Sequence, residues 1–200
     1  MRHDGCVATN EEPESYSKSE MRGQIRKRRA GLSAADRLAT GELIAGHIMP
    51  IVLERGSSCV ACYFSLPTEP TTDPLLQLLW AADIEVLTPR VRGTALEWVR
   101  SDSASKCTSG SFGVREVIGG EPVPLTAVDL VIMPALAVSA TGARLGQGGG
   151  FYDRALAQLE SMPLLIAMLF AHEDGVDVPA ESHDVAVDAV ATEQGVRWIM

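Results

Sequence analysis

The sequence predicts a single α/β domain of three layers, with a largely parallel, Rossmann-like central sheet flanked by helices. Short apolar runs such as "SSCVACYFSL" and "AVDLVIMPAL" alternate along the chain with segments of helical periodicity. Buried parallel strands are apolar along their whole length, and helices connect one strand to the next. A chain of 200 residues is long enough for one domain with a sizeable core and too short to expect two.

The first helix begins at a capping box, in which Ser17 is followed three residues later by Glu20. This helix is predicted to continue to about Leu32. Lys18 and Arg22 lie one turn apart, so they share a face of the helix and form a basic stripe, which Arg29 continues further along the helix. On spacing alone, a solvated basic face is the simpler interpretation of that stripe.

The second helix begins at a similar box formed by Ser33 and Asp36. Pro50 is predicted to interrupt this helix, because proline lacks the N–H that the helix needs. Beyond this point the elements follow from periodicity and length. Strands are predicted at "SSCVACYFSL", "IEVLTPRV", "ALEWVRS", "AVDLVIMPAL", "PLLIAMLFA" and "VDAVATEQGVRWI", and helices at "TDPLLQLLWAAD" and "FYDRALAQLE".

Composition restricts the class of protein. A hydrophobic content of 46% and a charged content of 22% are typical of soluble globular proteins. The chain contains no run of about 18 apolar residues that could span a membrane. Residues 1–16 are polar, lack the apolar core of a secretory signal, and are predicted to form a disordered tail. Residues 17–200 would then form the domain, and the cytoplasm is the expected compartment.

The charge distribution argues against nucleic acid as a partner. The net charge is −9, and the basic residues are concentrated in the first helix. The acidic remainder of the chain disfavours an RNA-associated protein that uses this helix. We expect a monomer, because no surplus apolar face is evident in the sequence, and we expect no membrane partner.

A C-x-x-C pair, Cys59 and Cys62, suggests zinc or redox chemistry at first sight. The pair lies in a predicted buried strand, where positions three apart point to opposite faces. We therefore interpret both cysteines as small buried residues in a reducing compartment.

The stretch "GARLGQGGGFYDRAL" contains four glycines within residues 146–150. Glycines this dense weaken a helix or a strand, so the loop needs another explanation. A Walker loop is excluded because no Lys-Ser or Lys-Thr follows the glycines. A dinucleotide fingerprint fits poorly, because Phe151 occupies the third glycine position. A flexible turn before a helix stays open as the simplest interpretation.

The flanks of the loop favour phosphate binding. A helix is predicted from about Phe151, so the N–H groups of the loop would lie at the positive end of its dipole. Arg144 precedes the glycines and Arg154 follows them. Asp153 lies in the first helical turn, where it either favours the dipole or holds Mg²⁺ beside a nucleotide, and spacing leaves both roles open.

The longer stretch "MPALAVSATGARLGQGGGFYDRAL" resembles the characteristic motif of the 5-formyltetrahydrofolate cyclo-ligase family, also called 5,10-methenyltetrahydrofolate synthetases. Four other segments resemble family elements: "KSEMRGQIRKRRAGLS", "YFSLPTEPTTDPLL", "SFGVRE" and "HDVAVDAVATE". Several ordered motifs across most of the chain are far more specific than any one of them.

This resemblance implies an ATP-dependent ligase of one-carbon metabolism. The family converts 5-formyltetrahydrofolate to 5,10-methenyltetrahydrofolate, with ATP as co-substrate, Mg²⁺ as cofactor, and ADP and phosphate as products. Phosphorylation turns the formyl oxygen into a leaving group, and N10 of the folate then attacks the formyl carbon. The alternative is a folate-binding or nucleotide-binding module of the same fold that has lost turnover, which the retained metal carboxylates disfavour.

The resemblance also implies roles for individual residues. ATP would contact Lys18, Arg22, Arg144, Leu145, Gly146, Gln147, Gly148, Gly149, Gly150, Phe151 and Tyr152. The folate would contact Phe64, Glu69, Gln147, Gly148, Gly150 and Tyr152. The metal carboxylates would be Asp153 and Asp188, and His183 could orient a carboxylate near Asp188.

Overall fold

A computed structural model describes residues 16–179, 181 and 184–200. Residues 1–15 of the predicted tail, and His183, lie outside the described residues. The helices are α1 (Lys18–Ala30), α2 (Ala34–Glu54), α3 (Asp73–Ala81) and α4 (Phe151–Leu156). The strands are β1 (Cys59–Ala61), β2 (Glu85–Arg92), β3 (Ala95–Ser101), β4 (Cys107–Ser109), β5 (Arg115–Val117), β6 (Leu130–Pro134), β7 (Ala137–Val138), β8 (Arg144–Leu145), β9 (Leu164–Met168), β10 (Ala189–Thr192) and β11 (Gly195–Trp198).

The central sheet has seven strands in the order β11-β10-β9-β6-β1-β2-β3. All pairings from β10 through β2 are parallel, and the two edge strands, β11 and β3, are antiparallel to their neighbours. The prediction of a largely parallel sheet is therefore confirmed. Within the described part of the chain, no helix combines the length and apolar character that a membrane crossing requires.

Helices cover both faces of this sheet, which gives the three predicted layers. On one face, Ile48 of α2 and Leu75 of α3 belong to the same buried cluster as Val60 and Ile132 of the central strands. On the other face, Leu156 of α4 belongs to a second cluster with neighbouring strand residues. Alternate residues of the central strands thus enter different clusters, as the strand period of two requires.

Cys59 and Cys62 confirm this alternation, because they belong to different buried clusters. Desolvation raises the pKa of Cys59 to about 11 and that of Cys62 to about 12. Both residues are therefore buried on opposite faces of the sheet, as predicted.

Helix α1 begins at the predicted capping box, with both reciprocal hydrogen bonds between Ser17 and Glu20 present. Its apolar side does not enter either large cluster. Met21 and Ile25 instead pack with Leu136, which directly precedes β7, and with Leu145 of β8. This contact places the basic stripe of α1 beside the chain that leads into the glycine-rich loop.

Helix α2 shows one error of prediction, because it continues through Pro50 to Glu54. Proline costs the helix one hydrogen bond, but Pro50 lies on the exposed side. Ile48 and Val52 are fully buried on either side of it. Packing of these side chains outweighs the local preference, since most helical stability in proteins comes from tertiary contacts.

Candidate active site

A cleft of about 670 Å³ lies at the carboxyl edge of the parallel strands. Tyr63 and Phe64 line it directly after β1, and Pro134 lines it at the end of β6. Ligands of open α/β sheets bind outside the carboxyl ends of the strands. The glycine-rich loop and Lys18 and Arg22 of the basic stripe also line this cleft, so the fold brings together most of the residues singled out in the sequence.

The backbone of the glycine-rich loop explains two of its glycines. Gly148 has a φ of +102° and Gly150 a φ of +61°. Residues with a side chain rarely adopt such positive φ angles. A Cβ at Gly149 would lie 2.7 Å from the ring of Phe151. Helix α4 begins at Phe151 as predicted but has only six residues, so its dipole is weaker than expected.

Side chains of α1 fasten this loop. Arg22 Nε donates to the carbonyl of Gly146 at 2.9 Å. Arg26 Nη2 donates to the backbone carbonyl of Gln147 at 3.0 Å and to its side-chain oxygen at 2.9 Å. Arg22 of the basic stripe therefore supports the loop, and Arg26 is a second support that sequence reasoning missed.

Lys18 lies between two carboxylates at the edge of the cleft. Its Nζ is 2.8 Å from Asp184 Oδ2 and 2.8 Å from Glu181 Oε1. Desolvation disfavours the charged ammonium, but hydrogen bonds to the two carboxylates outweigh it and raise the pKa of Lys18. Sequence reasoning missed both acids, although Asp184 belongs to the "HDVAVD" segment that it singled out.

Arg144 and Asp153 form an ion pair in the wall of the cleft. Arg144 Nη2 donates to Asp153 Oδ1 at 2.7 Å, and the N–H of Val185 donates to the same oxygen at 3.3 Å. Arg144 Nε is buried and has no hydrogen-bond partner among the described residues. Asp153 Oδ2 likewise accepts no hydrogen bond from the described part of the chain. Asp153 lines the cleft, so its Oδ2 is an acceptor oxygen in this wall that a ligand could use.

The structure does not bring Asp188 to Asp153. Asp188 Oδ2 accepts the N–H of Leu165 at 2.8 Å, at the amino ends of β9 and β10. The cleft lies at the opposite, carboxyl edge of the sheet. The fold therefore separates the two aspartates that were predicted to bind one metal ion. Asp184 is the acid of this segment that lines the cleft.

Two other predicted contacts also differ. The side chain of Leu145 is fully buried against α1 and does not line the cleft, so that only its backbone could reach a ligand. Arg154 donates to the carbonyl of Thr94 at 2.8 Å, on the β2–β3 turn. It therefore contributes no charge to the cleft wall, contrary to the symmetrical flanking of the loop in sequence.

The apolar end of the cleft contains the residues assigned to folate. Phe64 is buried, with the guanidinium carbon of Arg115 4.6 Å from its ring centroid. Tyr152 packs edge-to-face on Trp98, with ring centroids 5.9 Å apart. Tyr63 adds a buried hydroxyl that has no hydrogen-bond partner among the described residues. A tyrosine in an apolar run looks like core in the sequence, so no signal there indicated Tyr63.

Glu69 is the buried acid of this end, with 3% of its surface exposed. Its Oε2 accepts the N–H of Leu66 at 2.9 Å, and its Oε1 lies 3.4 Å from Gln147 Nε2. Desolvation raises the pKa of Glu69, against the opposing effect of these hydrogen bonds. A carboxylate held this way can accept further N–H donors from a ligand in the cleft.

Comparison with known proteins shows the family to which the chain belongs. The model of the 5-formyltetrahydrofolate cyclo-ligase family matches residues 14–193. The chain belongs to this family. A 5-formyltetrahydrofolate cyclo-ligase of Mycolicibacterium smegmatis is 31% identical over 188 residues, which are 88% of this chain and 93% of the relative. The protein of that name from Escherichia coli K12 is 30% identical, over 87% of this chain and 100% of the relative.

Solved structures of the family share the fold. The 5,10-methenyltetrahydrofolate synthetase of Aquifex aeolicus superposes with a TM-score of 0.79 at 28% identity, covering 91% of this chain and 92% of the other. A 5,10-methenyltetrahydrofolate synthetase of Mycoplasma pneumoniae superposes with a TM-score of 0.74 at 21% identity, covering 89% and 99%. The mixed α/β architecture described above is therefore the architecture of the family.

Proposed function

We propose that the protein catalyses the ATP-dependent cyclisation of 5-formyltetrahydrofolate to 5,10-methenyltetrahydrofolate, with release of ADP and phosphate. Its membership of the family makes it a ligase. The observation that carries the proposal is the single cleft in which a glycine-rich loop, the cations of α1 and the buried Glu69 meet. One end of this cleft suits phosphates, and the other suits a flat ring that carries N–H donors.

The reaction proceeds in two steps. The γ-phosphoryl group of ATP moves to the formyl oxygen, which gives an iminium phosphate and ADP. N10 then attacks the formyl carbon and loses its proton, and the carbon–oxygen bond breaks as phosphate leaves with the former formyl oxygen. Such chemistry depends on positioning and charge neutralisation rather than on a side-chain nucleophile.

The residues of the cleft can supply these two requirements. Arg22 orders the loop through Gly146, so that glycine N–H groups can meet phosphate oxygens without a Cβ in the way. Lys18 brings a positive charge to the same end, where phosphates would replace carboxylates as its partners. Arg144 lines the same cleft and adds a second positive charge beside Asp153.

Mg²⁺ fits this site through Asp153. Mg²⁺ prefers oxygen ligands and in nucleotide sites is usually held by one or two carboxylates together with phosphates. Oδ2 of Asp153 is such an oxygen, in the wall of the cleft beside the loop. When bound, the ion would neutralise charge on the phosphates of ATP.

The direct test is turnover of 5-formyltetrahydrofolate, followed by the absorbance of the methenyl product. We expect product only when ATP is present, and we expect EDTA to abolish it. Product formation without ATP, or no product under any condition, would refute the proposal. Binding of both ligands without turnover would indicate the alternative of a module that has lost catalysis.

Glu69→Gln is expected to weaken binding of 5-formyltetrahydrofolate by about 1.5 to 3 kcal/mol, the range for a hydrogen bond to a charged group. The change preserves size but replaces an acceptor oxygen with a donor. Calorimetric titration of each ligand alone measures the effect, and ATP binding serves as the internal control. A variant that binds folate as tightly as the parent would remove Glu69 from the folate site.

Lys18→Ala is expected to raise the Michaelis constant for ATP much more than that for folate, because Lys18 lies at the phosphate end of the cleft. Lys27→Ala is the matched control, since Lys27 is an exposed lysine of the same helix that does not line the cleft. Equal changes in both Michaelis constants for Lys18→Ala would contradict this assignment.

A further inference from the structure

Beside Glu69 lies Arg29, which continues the predicted basic stripe but, unlike Lys18 and Arg22, does not reach the cleft. Arg29 of α1 is fully buried and does not line the cleft. Its Nε and Nη2 donate to the two carboxylate oxygens of Glu173 at 2.8 and 2.7 Å, and Nη2 also donates to the carbonyl of Ala135 at 2.7 Å. Its guanidinium carbon lies 5.5 Å from the ring centroid of Phe170. These contacts fix the position of the Arg29 guanidinium. Its main partner, Glu173, is 144 residues away in the sequence.

The remaining nitrogen of this guanidinium faces Glu69. Nη1 of Arg29 lies 4.0 Å from Glu69 Oε1, beyond hydrogen-bond distance, and has no hydrogen-bond partner among the described residues. Glu173 therefore takes both strong hydrogen bonds, and Glu69 receives only the residual field of the cation. Two buried carboxylates share one buried positive charge, so this group of three carries an excess negative charge.

A carboxylate whose charge is only partly neutralised by the protein is useful for binding a ligand at the position of Glu69. Glu69 is only lightly satisfied by protein, through Leu66 and the long contact to Gln147. A ring that brings two N–H donors would complete its hydrogen bonds and spread its charge. A carboxylate fully paired with Arg29 would instead have to break that ion pair before it could bind a ligand.

We propose that Arg29 and Glu173 are positioning residues that hold Glu69 as a carboxylate only partly neutralised by protein, ready to accept N–H donors of the pterin ring. This inference rests on the proposed function, because it assigns the folate ring to Glu69. Arg29 and Glu173 act through Glu69 and do not touch the substrate themselves.

Other ionisable groups around Glu69 do not duplicate this effect. Tyr63 and Tyr152 are both raised in pKa by burial, and both remain neutral phenols at physiological pH. His172 stacks on Phe170, and its Nε2 lies 3.8 Å from Oε1 of Glu173 rather than beside Glu69. Arg29 and Glu173 are therefore the charges that control Glu69.

The pH dependence of folate binding reports on this control. Glu69 can accept N–H donors on both oxygens only when it is ionised, so affinity is full above the pKa of Glu69 in the unliganded protein. Below that pKa, affinity falls about tenfold per pH unit. Burial raises this pKa, so folate binding should begin to weaken at a higher pH than it would with an exposed glutamate.

Two variants should move this midpoint in opposite directions. Glu173→Gln removes the competing carboxylate, leaves Arg29 to neutralise Glu69, and is expected to lower the midpoint by about one pH unit. The double variant Arg29→Met, Glu173→Gln removes the cation and its partner together. The midpoint is then expected to rise by about one pH unit, with about tenfold weaker binding at a fixed pH below both midpoints.

The measurement is calorimetric titration with 5-formyltetrahydrofolate, without ATP, at steps between about pH 5 and about pH 8. Asp174→Asn is the matched control. Asp174 follows Glu173 in the chain and makes an equivalent two-oxygen pair with Arg197, away from the cleft. The pH profile of folate binding by Asp174→Asn should coincide with that of the parent. Protonation of the folate itself affects every variant equally, so it cancels in the comparison.

Each outcome decides one claim. Opposite shifts of the midpoint support the positioning role. A uniform loss of affinity with an unmoved midpoint, or shifts of the same sign, would overturn it and leave Arg29 and Glu173 as structural residues. If the parent does not bind 5-formyltetrahydrofolate, or if Glu69→Gln binds it as the parent does, the proposed function or the folate assignment fails instead.

Discussion

Replacing Arg29 with methionine is expected to destabilise the protein by about 3 to 5 kcal/mol, the usual cost of removing one partner of a buried ion pair. Methionine fills much of the volume but leaves Glu173 buried without its cation, beside a second buried acid, Glu69. The free energy of unfolding from urea denaturation measures this loss. Few single substitutions lower the free energy of unfolding by this much unless they disrupt a buried interaction.

Arg28→Met is the matched control, because Arg28 is the exposed neighbour of Arg29 in the same helix. We expect it to change the free energy of unfolding by no more than about 0.5 kcal/mol. The double variant Arg29→Met, Glu173→Gln should recover part of the loss, since it removes the uncompensated charge. If Arg29→Met costs less than about 1 kcal/mol, the ion pair is not a substantial contributor to stability.

Much of the fold could be predicted because its signals are local and strong. Strands β6 and β9 are apolar along their length, and a strand of that kind can only be buried on both faces. The two-residue strands β7 and β8 could not be predicted, because so few residues show no periodicity. The path of α2 past Pro50 is decided by tertiary packing, which a local rule does not contain.

The site divides in the same way. The glycine-rich loop and the Lys18–Arg22 stripe are motifs within a few residues, and the structure brings both to one cleft. Arg29 and Glu173 form no motif, because their contact exists only after α1 has folded against the end of the sheet. The choice between Asp184 and Asp188 likewise depends on which edge of the sheet each acid reaches, and both stand in one motif.

Asp153→Asn is expected to lower turnover by about one to three powers of ten, if Asp153 holds a catalytic ion beside the phosphates. The amide keeps the shape and can still accept the hydrogen bond from Arg144, but it loses the negative charge that Mg²⁺ requires. The concentration of Mg²⁺ that gives half-maximal rate should rise with the loss of turnover. A merely structural role in supporting Arg144 would lower the rate without changing that concentration.

Asp188→Asn tests whether Asp188 binds the metal ion, as the sequence motif implies, or lies away from it, as the structure indicates. Asp188 binds the N–H of Leu165 at the amino edge of the sheet, and an asparagine oxygen can accept the same hydrogen bond. We therefore expect its Mg²⁺ dependence to match that of the parent, whereas that of Asp153→Asn should not. An equal rise in both variants would show that the two aspartates bind one ion together, in an arrangement of the 184–188 segment different from that described here. No change in either variant would return Asp153 to its role at the start of α4, where an acid favours the helix dipole.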